Sequence, residues 1–306
     1  MERLFDVKVK GGSLSCRREK EYLTVQGGYA EEACLEIPAY IEGLPVTEIS
    51  KKAFLSNKVV KELSLPDTLT AVGDWAFAYC DRLEVVWLPK GSITCGKEIF
   101  KGCVSLKSIH LRQPEKQESE MPPKEQAAAL LAAVPVMLEA GYLFSPLEAG
   151  ERAWFEKLDA RLLMLLNKPD EEGYTRLVYS EEENIMYRRE AYIAERRREK
   201  ARLCFLRLQN DYLLEEALRA RLKSYLAGHT RGCESEAAWE VVFKEHRDER
   251  DFYAVFAAAG CLREDNFQDI LKDMGESAPE MKAFLMRYKK EHMAPEDFFD
   301  AMSLDF

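Results

Sequence analysis

Long apolar runs are missing from this chain. Nowhere in its 306 residues does a stretch approach the roughly 18 consecutive apolar residues that a membrane-spanning helix needs, so no membrane span is expected. Charge interrupts Met1 to Lys20 throughout, which argues against a secretory leader. Ser13 to Cys16 loosely has the form of a lipoprotein cleavage site, but nothing apolar precedes it. Metal-binding patterns are missing too. The eight cysteines contain no C-x-x-C, and of the four histidines only His229 has a cysteine four residues away, Cys233, with no further ligands in reach by sequence. No G-x-S-x-G, cysteine-protease signature or phosphate loop occurs. The paired glycines Gly11–Gly12 and Gly27–Gly28 read as turns. No catalytic, cofactor-binding or metal-ligating residue is therefore assigned, and no cofactor is expected.

Excess positive charge is also missing. The formal charge is −10, and its distribution is uneven. Residues 1–112 hold 16 Lys+Arg against 15 Asp+Glu, whereas the remainder holds 28 against 39. The overall field repels nucleic acid and anionic lipid. The eight cysteines show no disulfide framework, which points to reduced thiols in a cytoplasmic setting, although a mature secreted form would look the same.

What is present is a repeat. Between Ile37 and Leu111 the chain repeats every 23 residues, three times. Phe54, Phe77 and Phe100 keep this spacing, as do Ala53, Ala76 and Ile99, and Val60, Leu83 and Leu106. Leu63, Val86 and Ile109 form another column, and Leu65, Leu88 and Leu111 the next. Pro66 and Pro89, Gly73 and Gly96, and Cys80 and Cys103 share the same period. Apolar columns kept in register at a period of about 20–29 residues mark a leucine-rich-repeat solenoid, which presents a surface more often than it performs chemistry.

One subclass fits these residues. The unit L-x-L-P, then G, then A-F, C and L runs from Leu63 to Leu83, and a second copy runs from Trp87 to Leu106. The first copy, from Ile37, adds five residues before Ala53–Phe54 and contains Ile41–Ile49, an I-x-G-x-P-V-T-x-I stretch. The unit resembles the BspA-type leucine-rich repeat, whose first repeats take that form, over about a third of the chain. Members of that family often look secreted or surface-bound, and the charged start of this chain sets it apart from them.

The columns have physical roles. Leu63 and Leu65 point into the stack while Ser64 points out. Proline after the strand cannot extend the ladder, glycine is expected to permit a tight turn, and the Ala–Phe pair fills the convex side. Cysteine serves as a small buried apolar residue. Three repeats plus an N-terminal strand around Tyr22–Val25 make a minimal solenoid, so its far end beyond Leu111 needs a cap. Alternation places Glu36, Glu62, Ser64, Val85, Trp87, Ser108 and His110 on the outward face, with Trp87 exposed at its centre. That row is the candidate partner-binding surface, unless the helical part folds back over it.

Residues 113–123 are polar and proline-containing and read as a linker. Leu130, Leu131, Val134 and Leu138 then follow helical spacing, with Pro135 placed to kink or split the helix and Gly141 to stop it. Further helical stretches are expected near 148–167, 181–227, 234–245, 249–260, 264–273 and 278–292. The fold class is thus α+β: a leucine-rich-repeat domain over 1–112, a linker, and an all-α, solenoid-like domain over 124–306. Residues 139–143 resemble 258–262, with a fainter copy at 209–213, and Phe252–Tyr288 looks like the ankyrin-like helical pairs that follow such repeats in some bacterial proteins.

An arginine-rich segment, 188–207, carries no large apolar residue from Ala194 to Arg202. It reads as a solvated helix with Glu195–Arg198 and Glu199–Arg202 pairs, or as a basic patch. The functional expectation is non-enzymatic binding of an unknown protein or peptide. The alternatives are an adaptor for nucleic acid or another anionic partner through 188–207, and an enzyme hidden in the helical domain.

Overall fold

The computed structural model describes residues 4–111, 122–137, 140–174 and 189–293. It divides into two compact units, Met1–Arg161 and Leu162–Phe306. The first is a β-solenoid with helices at its end, and the regular elements described in the second are all helical.

Each of the first three coils of the solenoid carries two short strands, and the last carries one among the described residues. One parallel ladder runs through β4 (Cys34–Glu36), β7 (Glu62–Ser64), β9 (Val85–Leu88) and β11 (Ser108–Leu111). The other runs through β6 (Leu44–Ile49), β8 (Ala71–Val72) and β10 (Thr94–Cys95). Between them Leu35, Leu63, Leu65, Val86, Leu88 and Ile109 are buried. Phe54, Phe77 and Phe100 stack face to face through successive coils, with ring centroids 5.2 and 5.7 Å apart. Equivalent positions of successive coils lie side by side, so the 23-residue spacing also sets which charges meet: Lys58 with Asp81 at 2.8 Å, Lys61 with Glu84 at 3.0 Å.

The repeat glycines act by proximity. Neither Gly73 nor Gly96 has a positive φ. A Cβ on Gly73 would lie 2.5 Å from the backbone nitrogen of Lys51, and one on Gly96 2.5 Å from that of Asp74, so glycine lets one coil close onto the next. The left-handed positions fall elsewhere, at Lys52, Trp75 and Glu98 and at Ser56, Tyr79 and Gly102, again at the repeat spacing. The five extra residues of the first repeat form a hairpin, β5 (Tyr40–Ile41) to β6, whose turn residues Glu42 and Gly43 both have positive φ, as a type I′ turn requires.

The N-terminal strand is part of a larger element. β1 (Leu4–Val9), β2 (Gly12–Arg18) and β3 (Leu23–Ala30) form an antiparallel meander, and β3 pairs in parallel with β6. Gly11, with φ +86, is a turn residue, but Gly27 and Gly28 lie inside β3. A Cβ on Gly28 would meet the Phe54 ring at 2.4 Å, which explains the glycine there.

At the other end α1 (Pro122–Ala133) packs against β11. Leu130, Leu131 and Val134 are buried, and Phe144 meets Phe100 edge-on at 5.9 Å. These contacts cap the ladder. Helix α1 stops before Pro135, which sits in a 3-10 turn, Val134–Val136. Gly141 opens a second such turn rather than ending a helix. Leu138 and most of the expected linker lie outside the described residues.

Helix α2 (Arg152–Asn167) spans the division between the units. In the second unit α3 (Arg189–Gln209) is followed by α4 (Glu216–Ala227), α5 (Ala237–Glu240) running into a π turn at Val241–Glu245, α6 (Arg250–Ala258), α7 (Phe267–Met274) and α8 (Pro279–His292). The stretch expected as one helix over 181–227 is broken between Gln209 and Glu216, where Leu213 has φ 55; residues 181–188 lie outside the described set. Gly260, with φ +77, closes α6, whereas its counterpart Gly141 has no positive φ, so the two similar segments differ in backbone.

Candidate functional site

The outward face of the first ladder is set by register. β7 pairs with β9 as Glu62↔Val85, Leu63↔Val86 and Ser64↔Trp87, and β9 with β11 as Ser108↔Val85 and His110↔Trp87. β4 joins as Cys34↔Glu62 and Glu36↔Ser64. Two rows result: Cys34, Glu62, Val85, Ser108, and Glu36, Ser64, Trp87, His110. All seven residues named from alternation fall on this face, because their neighbours Leu35, Leu63, Val86 and Ile109 take the buried side.

Side-chain contacts refine that picture. Trp87 is half-buried rather than bare. The His110 ring stacks on Trp87, centroids 4.6 Å apart, and the Trp87 Nε1–H donates to Glu62 Oε1 at 2.8 Å. His110 Nε2 lies 2.9 Å from Ser108 Oγ. Glu36 pairs with Lys10 at 3.0 Å, and that hydrogen bond and charge raise the Lys10 pKa. The face is therefore an aromatic centre with carboxylates on its β4–β7 side and a histidine on its β11 side. Sequence reasoning missed two contributors. Cys34, two residues before Glu36, has its Sγ 3.6 Å from Glu62 Oε2, and desolvation followed by the Glu62 charge raises its pKa. The five-residue insertion hid its alignment with Glu62. Lys10 comes from the β1–β2 turn, outside the repeats.

The arginine-rich segment is not a solvated helix. α3 packs against α4, α5 and α6, burying Ala201, Leu203, Cys204, Phe205 and Leu208. Its cations meet the chain's own acids. Arg197 and Lys200 hold Asp170 at 2.8 and 2.7 Å, Arg198 pairs with Glu195 at 2.6 Å, and Arg202 reaches Glu195 at 2.9 Å and also Glu245. Glu199 pairs with Arg196 instead of Arg202. Arg207 is fully buried and donates to the carbonyls of Asn210 and Tyr212, tying down the chain where α3 ends. Arg188 lies outside the described residues.

Among the described residues no helix is long and apolar enough to cross a membrane, and no three His, Cys, Asp or Glu side chains converge as a metal site would.

Residues 43–120 match the family described as the BspA type leucine rich repeat region. A leucine-rich repeat protein of T. pallidum, TpLRR, is similar at 27% identity over 34% of this chain and 48% of that one, with a TM-score of 0.31. The chain thus spans about half that protein's length. A leucine-rich repeat protein from Bacteroides capillosus is similar at 22% identity over 35% of this chain and 99% of that one, with a TM-score of 0.29. No curated protein matches the chain.

Proposed function

We propose that this protein is a non-enzymatic scaffold that binds a protein or peptide through the outward face of the ladder β4–β7–β9–β11. The supporting observation is the Glu62–Trp87–His110 cluster at the centre of that face. An aromatic residue with hydrogen-bonding neighbours is the composition that dominates binding energy at interfaces. The repeat architecture agrees, since stacked repeats form extended binding surfaces. The buried thiols of Cys80 and Cys103 donate to the carbonyls of Phe54 and Phe77, contacts that require reduced cysteines and so support a cytoplasmic setting. The rival reading, an adaptor for nucleic acid or another anionic partner through 188–207, has less support because Arg196, Arg197, Arg198 and Arg202 are occupied by the chain's own carboxylates.

Affinity capture with the intact chain, repeated with Trp87→Ala, tests the reading. An aromatic at an interface centre contributes about 2 kcal/mol or more, so the variant should bind at least about thirtyfold more weakly, while its melting temperature falls only by what the His110 stacking and the Glu62 hydrogen bond contribute. A variant that melts earlier but binds normally would instead assign Trp87 to internal packing and remove the ladder face from the proposal.

A further inference from the structure

Strand β1 is the terminal strand of its sheet, and among the described residues it pairs with β2 alone. Its six residues, Leu4 to Val9, alternate strictly: Leu4, Asp6 and Lys8 are exposed, and Phe5, Val7 and Val9 are half-buried. The second set shares a face with Cys16, Leu14 and Gly12 of β2, which are buried. The apolar stripe of β1 thus continues the core side of the sheet but stays partly open, because among the described residues no strand lies beyond it. An uncovered edge with a half-filled apolar stripe is a template for a further strand.

We infer that this edge pairs with β1 of a second copy of the chain, antiparallel about a two-fold axis, with Val7 facing Val7 of the second copy. A two-fold across such an edge is isologous, so each contact occurs twice. It also requires opposed residues to share a face, which leaves registers whose residue numbers sum to an even value. The register through Val7 sets Asp6 against Lys8 of the second copy, and Lys8 against Asp6. It also sets Phe5 against Val9 and extends the apolar stripe without a break. The register one step earlier sets Asp6 against Asp6, and the step later sets Lys8 against Lys8, each a like-charge pair. Charge complementarity therefore selects both the occupant and the register. The product is a continuous antiparallel sheet of β3–β2–β1 from each copy.

Sedimentation velocity on the intact chain over a concentration series tests this, with Asp6→Lys, Lys8→Asp and the double exchange. Both side chains are exposed, and melting curves check that the variants stay folded. The wild type should show a monomer–dimer equilibrium. Each single exchange turns two attractive cross-strand pairs into repulsive ones and should weaken the dimer by about tenfold or more, and the double exchange should restore it. A chain that remains monomeric at all concentrations overturns the inference. So does a dimer indifferent to the single exchanges, or one that the double exchange fails to rescue.

Discussion

Cys103 donates its thiol hydrogen to the carbonyl oxygen of Phe77, 3.2 Å away, in the preceding coil. Cys80 makes the same contact with Phe54 at 3.3 Å. One period earlier the column holds Asn57, whose Oδ1 accepts from the backbone nitrogens of Val59 and Val60 at 2.9 Å each. Cysteine in this column is thus more than an apolar filler. It joins one coil to the next at the point where the aromatic stack turns back toward the ladder, and it must be reduced to do so. The Cys80 side chain and burial raise the Cys103 pKa, which keeps this thiol protonated as a donor.

Cys103→Ala should destabilise the solenoid by roughly 1–3 kcal/mol, since a buried carbonyl loses its partner. Cys103→Ser, which keeps a donor, should cost less than the alanine variant. Thermal melts of the two against wild type decide it, and equal losses would show that only the volume of the sulfur matters.

Phe77 lies between Phe54 and Phe100 and is 1% exposed. Phe77→Ala should cost roughly 3–5 kcal/mol, the usual loss for a buried aromatic, and in so short a stack that is enough to unfold the module. Thermal melts followed by circular dichroism measure it. A shift in melting temperature of under a few degrees would remove Phe77 from the core.

The glycine geometry separates two residues five positions apart. Gly96→Ala forces a Cβ to 2.5 Å from the Asp74 nitrogen, whereas a Cβ on Gly91 meets nothing within 4 Å. Gly96→Ala should therefore destabilise by roughly 1–3 kcal/mol, as overpacking does. Gly91→Ala should stay within about 0.5 kcal/mol of wild type. Similar melting curves for the pair would refute the close-approach account.

The helical unit should weaken in acid. Burial alone would raise the Asp170 pKa, but hydrogen bonds from Lys200 and Arg197 outweigh it and hold the pKa below its ordinary value of 3.8. Glu195 is likewise held below 4.5, burial being outweighed by Arg198 and Arg202. Because the folded-state values are depressed, this stability is fully present above the unfolded-state values and is lost as pH falls through the folded ones. Melting temperatures measured downward from pH 5 should fall more steeply in the wild type than in Asp170→Asn, which lacks one of the two titrations. Parallel profiles would mean that Asp170 is not linked to folding.

The repeat part was legible from sequence because every coil reports the same pattern. Leu63, Val86 and Ile109 repeat at a fixed spacing, and alternation then assigns Ser64, Trp87 and His110 to the opposite face whatever else the chain does. The position of the cap was legible too, since an apolar ladder end followed by Leu130, Leu131 and Val134 leaves few other ways to bury either. The role of the repeat glycines was not. A glycine answers equally to a positive φ and to a close neighbour, and at Gly96 only the distance to Asp74 distinguishes them.

The order of residues was enough to establish the solenoid, its outward row and the helical character of the second half, because those properties depend on contacts at short or periodic separations. The state of Trp87, the alignment of Cys34 with Glu62, and the fate of the arginines on α3 emerged only from the packed chain. Arg197 meets Asp170 from 27 residues away and Arg202 meets Glu245 from 43, separations that belong to no period. A charge's partner is set by where the packed chain brings it, and among the many acids of this chain nothing local marks which ones those are.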